Sequence, residues 1–392
     1  MPEWRRQDIE LMGRAMALAR RGLGRVEPNP MVGCVVVRGG RVVAEGYHRR
    51  FGDKHAEIEA LARCKGSARG ATVYVTLEPC CHQGKTPPCT DALIAAGVRR
   101  VVAAMRDPFA AVAGRGLARL RRAGIEVGVG LCGEQARRLN AAYLKLRTEG
   151  RPWVILKWAQ SLDGKIATRT GDSKWISSAA ARREAHRLRG RVDAVIVGSG
   201  TARVDDPLLT CRHVRARRTA SRIVVSGRLR IDPRCKLVRT AGRVPTIVAT
   251  TRAALRRHAR LVGALHEAGC EVVGVGSRRG RVSLAGLLDE LGRRQMTNVL
   301  VEGGGELLGG FFDDQLADEA VVFVSPKLIG GAAAPGALRG AGVSRVAHGP
   351  GQSDRVERRC VGGDMMYRIL LRDPARRNRC RGPKQATTSQ RR

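Results

Sequence analysis

The sequence predicts an α/β protein built from two layered domains and a short basic tail. Strand-like and helix-like segments alternate along nearly the whole chain, the pattern of sheets covered by helices. Its 392 residues suit two domains, at roughly 150 residues per domain. Thr148-Glu149-Gly150-Arg151-Pro152 interrupts the periodicity between the two halves. The domains therefore run over 1–147 and 153–371, and 372–392 form the tail.

In the first half, Ile9, Met12, Met16 and Ala19 recur at helical spacing over residues 8–20. Val32–Val37 and Arg41–Glu45 read as strands joined at Gly39-Gly40, a hairpin signal. His55–Arg63 reads as a helix and Ala71–Leu77 as a buried strand. Asp91–Ala96 reads as a helix closed by Gly97, and Val101–Met105 and Ile125–Val129 as strands with a helix between them. In the second half, strands are expected at Trp153–Trp158, Ala194–Val197, Ile223–Val225, Thr246–Ala249, Glu271–Val275, Asn298–Val301 and Ala320–Val324. A closing hairpin, Arg355–Cys360 with Met365–Leu371, would turn through Gly362-Gly363.

Composition narrows the function classes. The apolar stretches fall short of the ~18–20 residues of a membrane span, and the charged N-terminus is not a secretory signal. The formal charge of +37 favours anionic and phosphorylated ligands. Arginine is scattered over the whole chain, however, and aromatics are only 3%, so the basic–aromatic stripe of a nucleic-acid binder is missing. Eleven cysteines without an export signal point to buried thiols and a metal site rather than a disulfide framework.

That metal site is legible in His55-Ala56-Glu57 and in Pro79-Cys80-Cys81 with Cys89. One imidazole and two thiolates suit zinc, and three protein ligands leave a fourth position open, as in catalytic sites. Zinc lowers the pKa of bound water towards ~7, and Glu57, two residues beyond His55, can carry its proton to a leaving amine. This is the H-x-E…P-C pattern of zinc-dependent base deaminases. Cys81 is adjacent to a ligand and is expected to point away unligated.

In the second half three segments follow strands directly, where α/β sheets bind ligands. They are Ser161-Leu162-Asp163-Gly164-Lys165, Gly198-Ser199-Gly200-Thr201 with Asp205-Asp206, and Glu302-Gly303-Gly304-Gly305-Glu306-Leu307. The last opens a helix, where backbone N–H groups can approach a phosphate. It is not the G-x-G-x-x-G fingerprint of an ordinary dinucleotide fold.

Eight residues separate Cys80 from Cys89, where the general deaminase motif has two. With Leu77-Glu78-Pro79-Cys80, Gly84-Lys85-Thr86-Pro87-Pro88-Cys89, Pro28-Asn29-Pro30, Gly46-Tyr47-His48 and Asp107-Pro108, this stretch resembles the pyrimidine deaminases of the riboflavin pathway. The resemblance continues through the second domain, so the whole chain apart from the tail is similar to the bifunctional deaminase–reductase family of riboflavin biosynthesis. It implies a cytidine-deaminase-like α/β/α domain followed by a dihydrofolate-reductase-like α/β domain, with Zn2+ and NADPH as cofactors. It also implies deamination of 2,5-diamino-6-(5-phosphoribosylamino)pyrimidin-4-one, then reduction of its ribosyl group to ribityl.

Carried over to these positions, the resemblance makes Asn29, His48 and Lys85 substrate contacts of the deaminase, with Lys85 facing the ribose phosphate. The cofactor would touch Gln160, Trp175, Thr201, Asp205 and the run Gly304, Gly305, Glu306, Leu307, Leu308, Gly309 and Gly310. The reductase substrate would touch Ser173, Arg189, Leu209, Arg212 and Glu302, the two guanidiniums suiting a phosphate. Two positions depart from the family: Cys81 stands for a small hydroxyl residue, and Ser226-Gly227 for an acid followed by a hydroxyl residue. The expected partners are a phosphorylated small-molecule pyrimidine and further copies of the chain, with no membrane and no specific nucleic acid, in the cytoplasm. An alternative is a tRNA or single-stranded DNA base deaminase with an accessory domain, which the high charge prompts. It lacks the expected P-C-x-x-C and leaves the second domain without a role.

Overall fold

The computed structural model describes residues 4–83, 87–350 and 356–374. The first sheet contains β1 (Gly33–Arg38), β2 (Arg41–Tyr47), β3 (Thr72–Val75), β4 (Arg100–Ala103) and β5 (Glu126–Val129). Their order is β2-β1-β3-β4-β5, with β1 antiparallel to both neighbours and β3, β4 and β5 parallel. Because side chains alternate across a strand, each strand feeds two cores. Val35, Val37, Tyr74 and Val102 pack with Met12, Ala15 and Met16 of α1 (Arg6–Ala19). Cys34, Val36, Val73, Val75 and Val101 pack on the other face with Ala56 and Ala60 of α2 (Ala56–Ala62) and Leu93 of α3 (Cys89–Ala95). This is the expected α/β/α layering.

The second sheet contains β6 (Trp153–Gln160), β7 (Ala194–Gly198), β8 (Ser221–Val225), β9 (Thr246–Thr251), β10 (Cys270–Val275), β13 (Asn298–Val301), β14 (Glu319–Val324), β15 (Val356–Val361) and β16 (Asp364–Leu370). The order is β10-β9-β8-β7-β13-β6-β14-β16-β15, parallel except for the pairings of β16 with β14 and β15. It is the dihydrofolate-reductase-like half. Alternation again divides the core: Ile155, Val195, Val197 and Leu300 face one helical layer, and Val154, Leu156, Ile196 and Val301 the other.

The expected strands occur, each boundary within two residues of its expected place. Other details differ. Ile9, read as part of an apolar helix face, is 49% exposed. The last helix of the first half, Ala141–Glu149, runs through Thr148 and Glu149, so the break falls at Gly150 with its positive φ of 68°. Asp205 is the last residue of a helix, Ser199–Asp205, with Asp206 as its cap. A small hairpin of β11 (Ser277–Arg278) and β12 (Arg281–Val282) carries no apolar run and was not anticipated. The expected tail is anchored at its start: the Arg372 guanidinium donates to the Gln315 carbonyl and its backbone N–H to the Asp318 carbonyl at 3.2 Å. Residues 375–392 lie outside the described residues. No helix among the described residues is long and apolar enough to cross a membrane.

The halves are joined by a buried ion pair. Lys145 Nζ pairs with Asp318 Oδ2, the side chains 5% and 1% exposed, and Asp318 Oδ2 also accepts the Val154 N–H at 2.8 Å. Arg217 Nη1 adds a bond to the Leu23 carbonyl at 2.7 Å. Removing one partner of a buried pair strands the other charge in a poorly solvated site. Lys145→Met should therefore lower unfolding free energy by about 3–5 kcal/mol; an unchanged denaturant midpoint would show that the pair holds nothing together.

Candidate active sites

The first site forms where α2 and α3 begin. His55 is the extended residue preceding α2, and Cys89 is the first residue of α3. Gly46 makes this approach possible: a Cβ there would lie 2.4 Å from the Ala56 carbonyl oxygen, so any larger residue would push α2 off β2. Cys80 follows β3 in a loop held by Glu78, whose buried carboxylate accepts backbone N–H groups from Asp107, Gly114, Gly116 and Leu117 at 3.0–3.3 Å.

His55 Nδ1 lies 3.3 Å from Cys89 Sγ and 3.5 Å from Cys80 Sγ, and the ligand atoms of all three residues fall within 4.8 Å of one another. A tetrahedral zinc centre with Zn–N near 2.0 Å and Zn–S near 2.3 Å implies an N···S edge of about 3.5 Å. The donor set thus fits three corners of a zinc cage. The Cys89 thiol and backbone N–H, together with His55, hold the Cys80 thiol well below its ordinary pKa despite burial. Cys81 Sγ points away, 3.7 Å from the Ala111 carbonyl, as its adjacency to a ligand implied.

Glu57 is buried in the first turn of α2. Burial, with the Cys80 sulfur beside it, pushes its carboxyl up to about 7. Together with His55 and Cys80 it lines a cavity of about 240 Å³. Asn29 and His48 line it too. His48 Nδ1 lies 3.1 Å from the Lys54 carbonyl, an acceptor only, so Nδ1 donates there. That leaves Nε2 to accept from Asn29 Nδ2 at 3.4 Å. Burial lowers the His48 pKa and keeps the ring neutral. Asn140 fixes the Asn29 segment by exchanging two bonds with the Met31 backbone, at 2.8 and 3.0 Å. Lys85 lies outside the described residues.

The second site is a cleft of about 1190 Å³ over the ends of β7, β8 and β13. Thr201, Asp205, Gly304, Gly305, Glu306, Leu307 and Gly310 line it together. Thr201 Oγ1 accepts the Gly304 N–H at 2.9 Å and so ties two ligand-facing turns to each other. Gly303, at φ 148°, lets the backbone make this turn where a side chain would be strained. Leu308 points into the core with Phe311, and Gly309 packs against the Arg339 backbone, so neither faces the cleft. Gln160 and Trp175 lie off it. Gln160 Oε1 accepts the Trp158 Nε1–H at 2.6 Å, and Trp175 is exposed with Arg182 4.4 Å from its ring centroid. Ser173 and Arg212 are exposed, and Leu209 is buried.

The Arg189 fork is already engaged: Nε and Nη2 donate to the two Glu302 oxygens at 2.6 and 2.7 Å. Expected as separate substrate contacts, the two side chains form one buried bidentate pair. Sequence reasoning missed Lys157, whose Nζ lies 4.0 Å from Glu302. The available signal was a lone cation within the apolar strand Trp153–Trp158. It also missed His186, where burial and then the charges of Arg189 and Arg212 bring the imidazole down to about 4. Tyr143 and Arg147, on the wall of the first cavity, were not singled out either, and Asp107 entered only as part of the Asp107-Pro108 motif.

Comparison with known proteins agrees with both halves. Residues 5–105 match the family described as cytidine and deoxycytidylate deaminase zinc-binding region, and residues 152–358 match the RibD C-terminal domain. Riboflavin biosynthesis protein RibD of Escherichia coli K12 is 41% identical over 93% of this chain and 99% of its own length. The protein of the same description from Actinobacillus pleuropneumoniae is 41% identical over 86% and 89%. Form 1 of Acinetobacter baumannii RibD superposes with TM-score 0.79 at 34% identity, covering 93% of this chain and 98% of that one. A Thermotoga maritima structure, described as a diaminohydroxyphosphoribosylaminopyrimidine deaminase/5-amino-6-(5-phosphoribosylamino)uracil reductase, superposes with TM-score 0.76 at 34% identity over the same shares. With the donor cage in one half and the glycine-lined cleft in the other, the chain belongs to the RibD family of bifunctional deaminase–reductases of riboflavin biosynthesis.

Proposed function

We propose that the first domain deaminates 2,5-diamino-6-(5-phosphoribosylamino)pyrimidin-4-one. The second then reduces the ribosyl group with NADPH, giving 5-amino-6-(5-phosphoribitylamino)uracil. The observation that carries the first step is Glu57, buried in the cavity that His55 and Cys80 also line. When bound by His55, Cys80 and Cys89, zinc supplies hydroxide at neutral pH. Glu57, tuned near neutrality, takes a proton and returns it to the departing amine. Asn29 and neutral His48 orient the ring, and the apolar walls Leu77 and Val112 limit water.

For the second step, NADPH supplies hydride to the opened sugar. Gly305 and Glu306 open the helix Gly305–Asp313, where first-turn backbone N–H groups can meet a phosphate. Arg228, Arg230, Arg279 and Arg281 line the same cleft near the end of β8. Ser226-Gly227 at that strand end brings no carboxylate that would prefer a ribose 2′-hydroxyl, which favours a 2′-phosphorylated cofactor. Lys157 and the Arg189–Glu302 pair lie beneath the substrate loop, where Arg189 Nη1 donates to the Thr210 carbonyl at 3.4 Å.

A coupled assay tests the reading. Wild-type protein should release ammonia from the phosphoribosyl diaminopyrimidine and then consume NADPH. Glu57→Gln should keep its zinc, lose deamination by about 10²-fold or more, and still reduce the deaminated intermediate at the wild-type rate. Turnover only on an oligonucleotide, or equal loss of both steps, would overturn it.

The Glu302 environment adds a pH dependence. Burial opposes its ionisation, but Arg189 and Lys157 outweigh burial and hold the carboxyl at about 2, below its ordinary 4.5. A folded-state pKa lowered in this way contributes stability above the ordinary value, and that contribution fades as pH falls towards 2. Glu302→Gln should therefore flatten the loss of stability between pH 4.5 and 2 in denaturant titrations. An acid limb as steep as wild type would place the acid sensitivity elsewhere.

A further inference from the structure

The deaminase cavity contains one cation that neither the motif nor the chemistry explains. Arg147, in the helix Ala141–Glu149, lines the cavity that also holds His55, Glu57 and Cys80. Among the described lining residues it is the only one with a fixed positive charge. Its guanidinium carbon lies 5.0 Å from the Phe109 ring centroid and 5.4 Å from that of Tyr143, so two aromatic rings support the fork. Nη1 donates to Gln295 Oε1 of the second domain at 3.3 Å, whereas Nε is buried without a hydrogen-bond partner. His82, its ring 5.7 Å from that of Phe109, also lines the cavity and also carries a buried, unpartnered nitrogen, Nδ1.

Two orphaned polar atoms flanking one ring, in a cavity with an acid–base group, mark a wall built for a polar ligand, since buried polar groups normally find partners. Of the neighbouring carboxylates, Asp107 lies within the field of Arg147, which favours its ionised form, but neither it nor Glu78 accepts a hydrogen bond from Nε. Glu78 is consumed by backbone N–H groups, and Asp107 accepts the Tyr143 hydroxyl at 2.8 Å and the Phe109 N–H at 2.9 Å. The planar guanidinium carries more N–H donors than its bonds to Gln295 and Tyr143 use, and the remainder match a phosphate oxyanion.

Resting on the deaminase reading above, we propose that Arg147 binds the 5-phosphate of the pyrimidine ribotide, a contact additional to the one the family resemblance implies for Lys85, and so strengthens the deaminase's selection of phosphorylated substrate. The helix bearing Arg147 is the last of the first domain. Its bond to Gln295 sets the guanidinium against the second domain, so that domain helps to position a substrate contact of the first.

The test compares ammonia release from the phosphorylated ribotide and from the corresponding riboside, in full-length wild type and Arg147→Ala, both loaded with zinc. The expected result is a KM for ribotide raised about 30-fold, the loss of a charge-assisted hydrogen bond. The kcat should stay within about threefold, the riboside KM should be unchanged, and reduction of the deaminated intermediate should be unaffected. Should Arg147→Ala lose zinc or reductase activity, Arg147→Gln, which keeps the stem and the length, serves for the same comparison. An unchanged ribotide KM, an equal rise for ribotide and riboside, or a fall confined to kcat would overturn the assignment of Arg147 while leaving the deaminase reading intact. Failure of wild type to act on either pyrimidine would remove both.

Discussion

The deaminase half depends on one convergence: an imidazole and two thiols brought within 4.8 Å by the starts of two helices and a loop. None of the three can be placed alone. His55 depends on α2 lying against Gly46, and Cys89 on the start of α3. Cys80 depends on the loop that Glu78 ties down through four backbone N–H groups. A buried carboxylate such as Glu78 is tolerated because every oxygen is hydrogen-bonded, and the result is a stiff wall. The same packing buries Glu57 beside the donors and shifts its proton affinity into the range where it can both accept and donate.

The second half uses a different constraint. The turns that line its cleft lie past the ends of parallel strands, and two of them are tied together through Thr201 and Gly304. The charge here is organised as a buried triad of Lys157, Glu302 and Arg189. Such a cluster costs desolvation energy and tolerates no missing partner. It lies beside the chain at Thr210, whose carbonyl accepts from Arg189 Nη1 at 3.4 Å, so Arg189 braces that segment while its fork is held by Glu302. The Lys145–Asp318 pair and the Arg147–Gln295 bond join the halves at the opposite end of the sheet from this cleft.

Features made by near neighbours in the chain were legible before the structure. His55 and Cys89 sit in short motifs at helix starts, most inner strands are short β-rich apolar runs, and Gly362-Gly363 announces its hairpin. What escaped depends on residues far apart in sequence. Lys145 and Asp318 are separated by 173 positions and Arg189 and Glu302 by 113, so no local pattern marks them. Arginine posed a special difficulty. In a chain with this excess of base, each one reads as a solvated surface group, yet Arg222 is fully buried, donating to the Leu237 and Val244 carbonyls at 3.0 Å and to Thr246 Oγ1 at 2.6 Å. Arg147 was hidden for the same reason. Leu308 and Gly309 show the converse limit, since a motif run carried over whole includes residues that the helix turns towards the core.

The most direct measurement is metal content by elemental analysis of folded protein, wild type against four single variants. The account predicts about one zinc per chain in wild type and in Cys81→Ser, and near-complete loss in His55→Ala, Cys80→Ser and Cys89→Ser. Folded wild type without zinc, or loss of the metal on changing Cys81 with retention on changing Cys80, would contradict it.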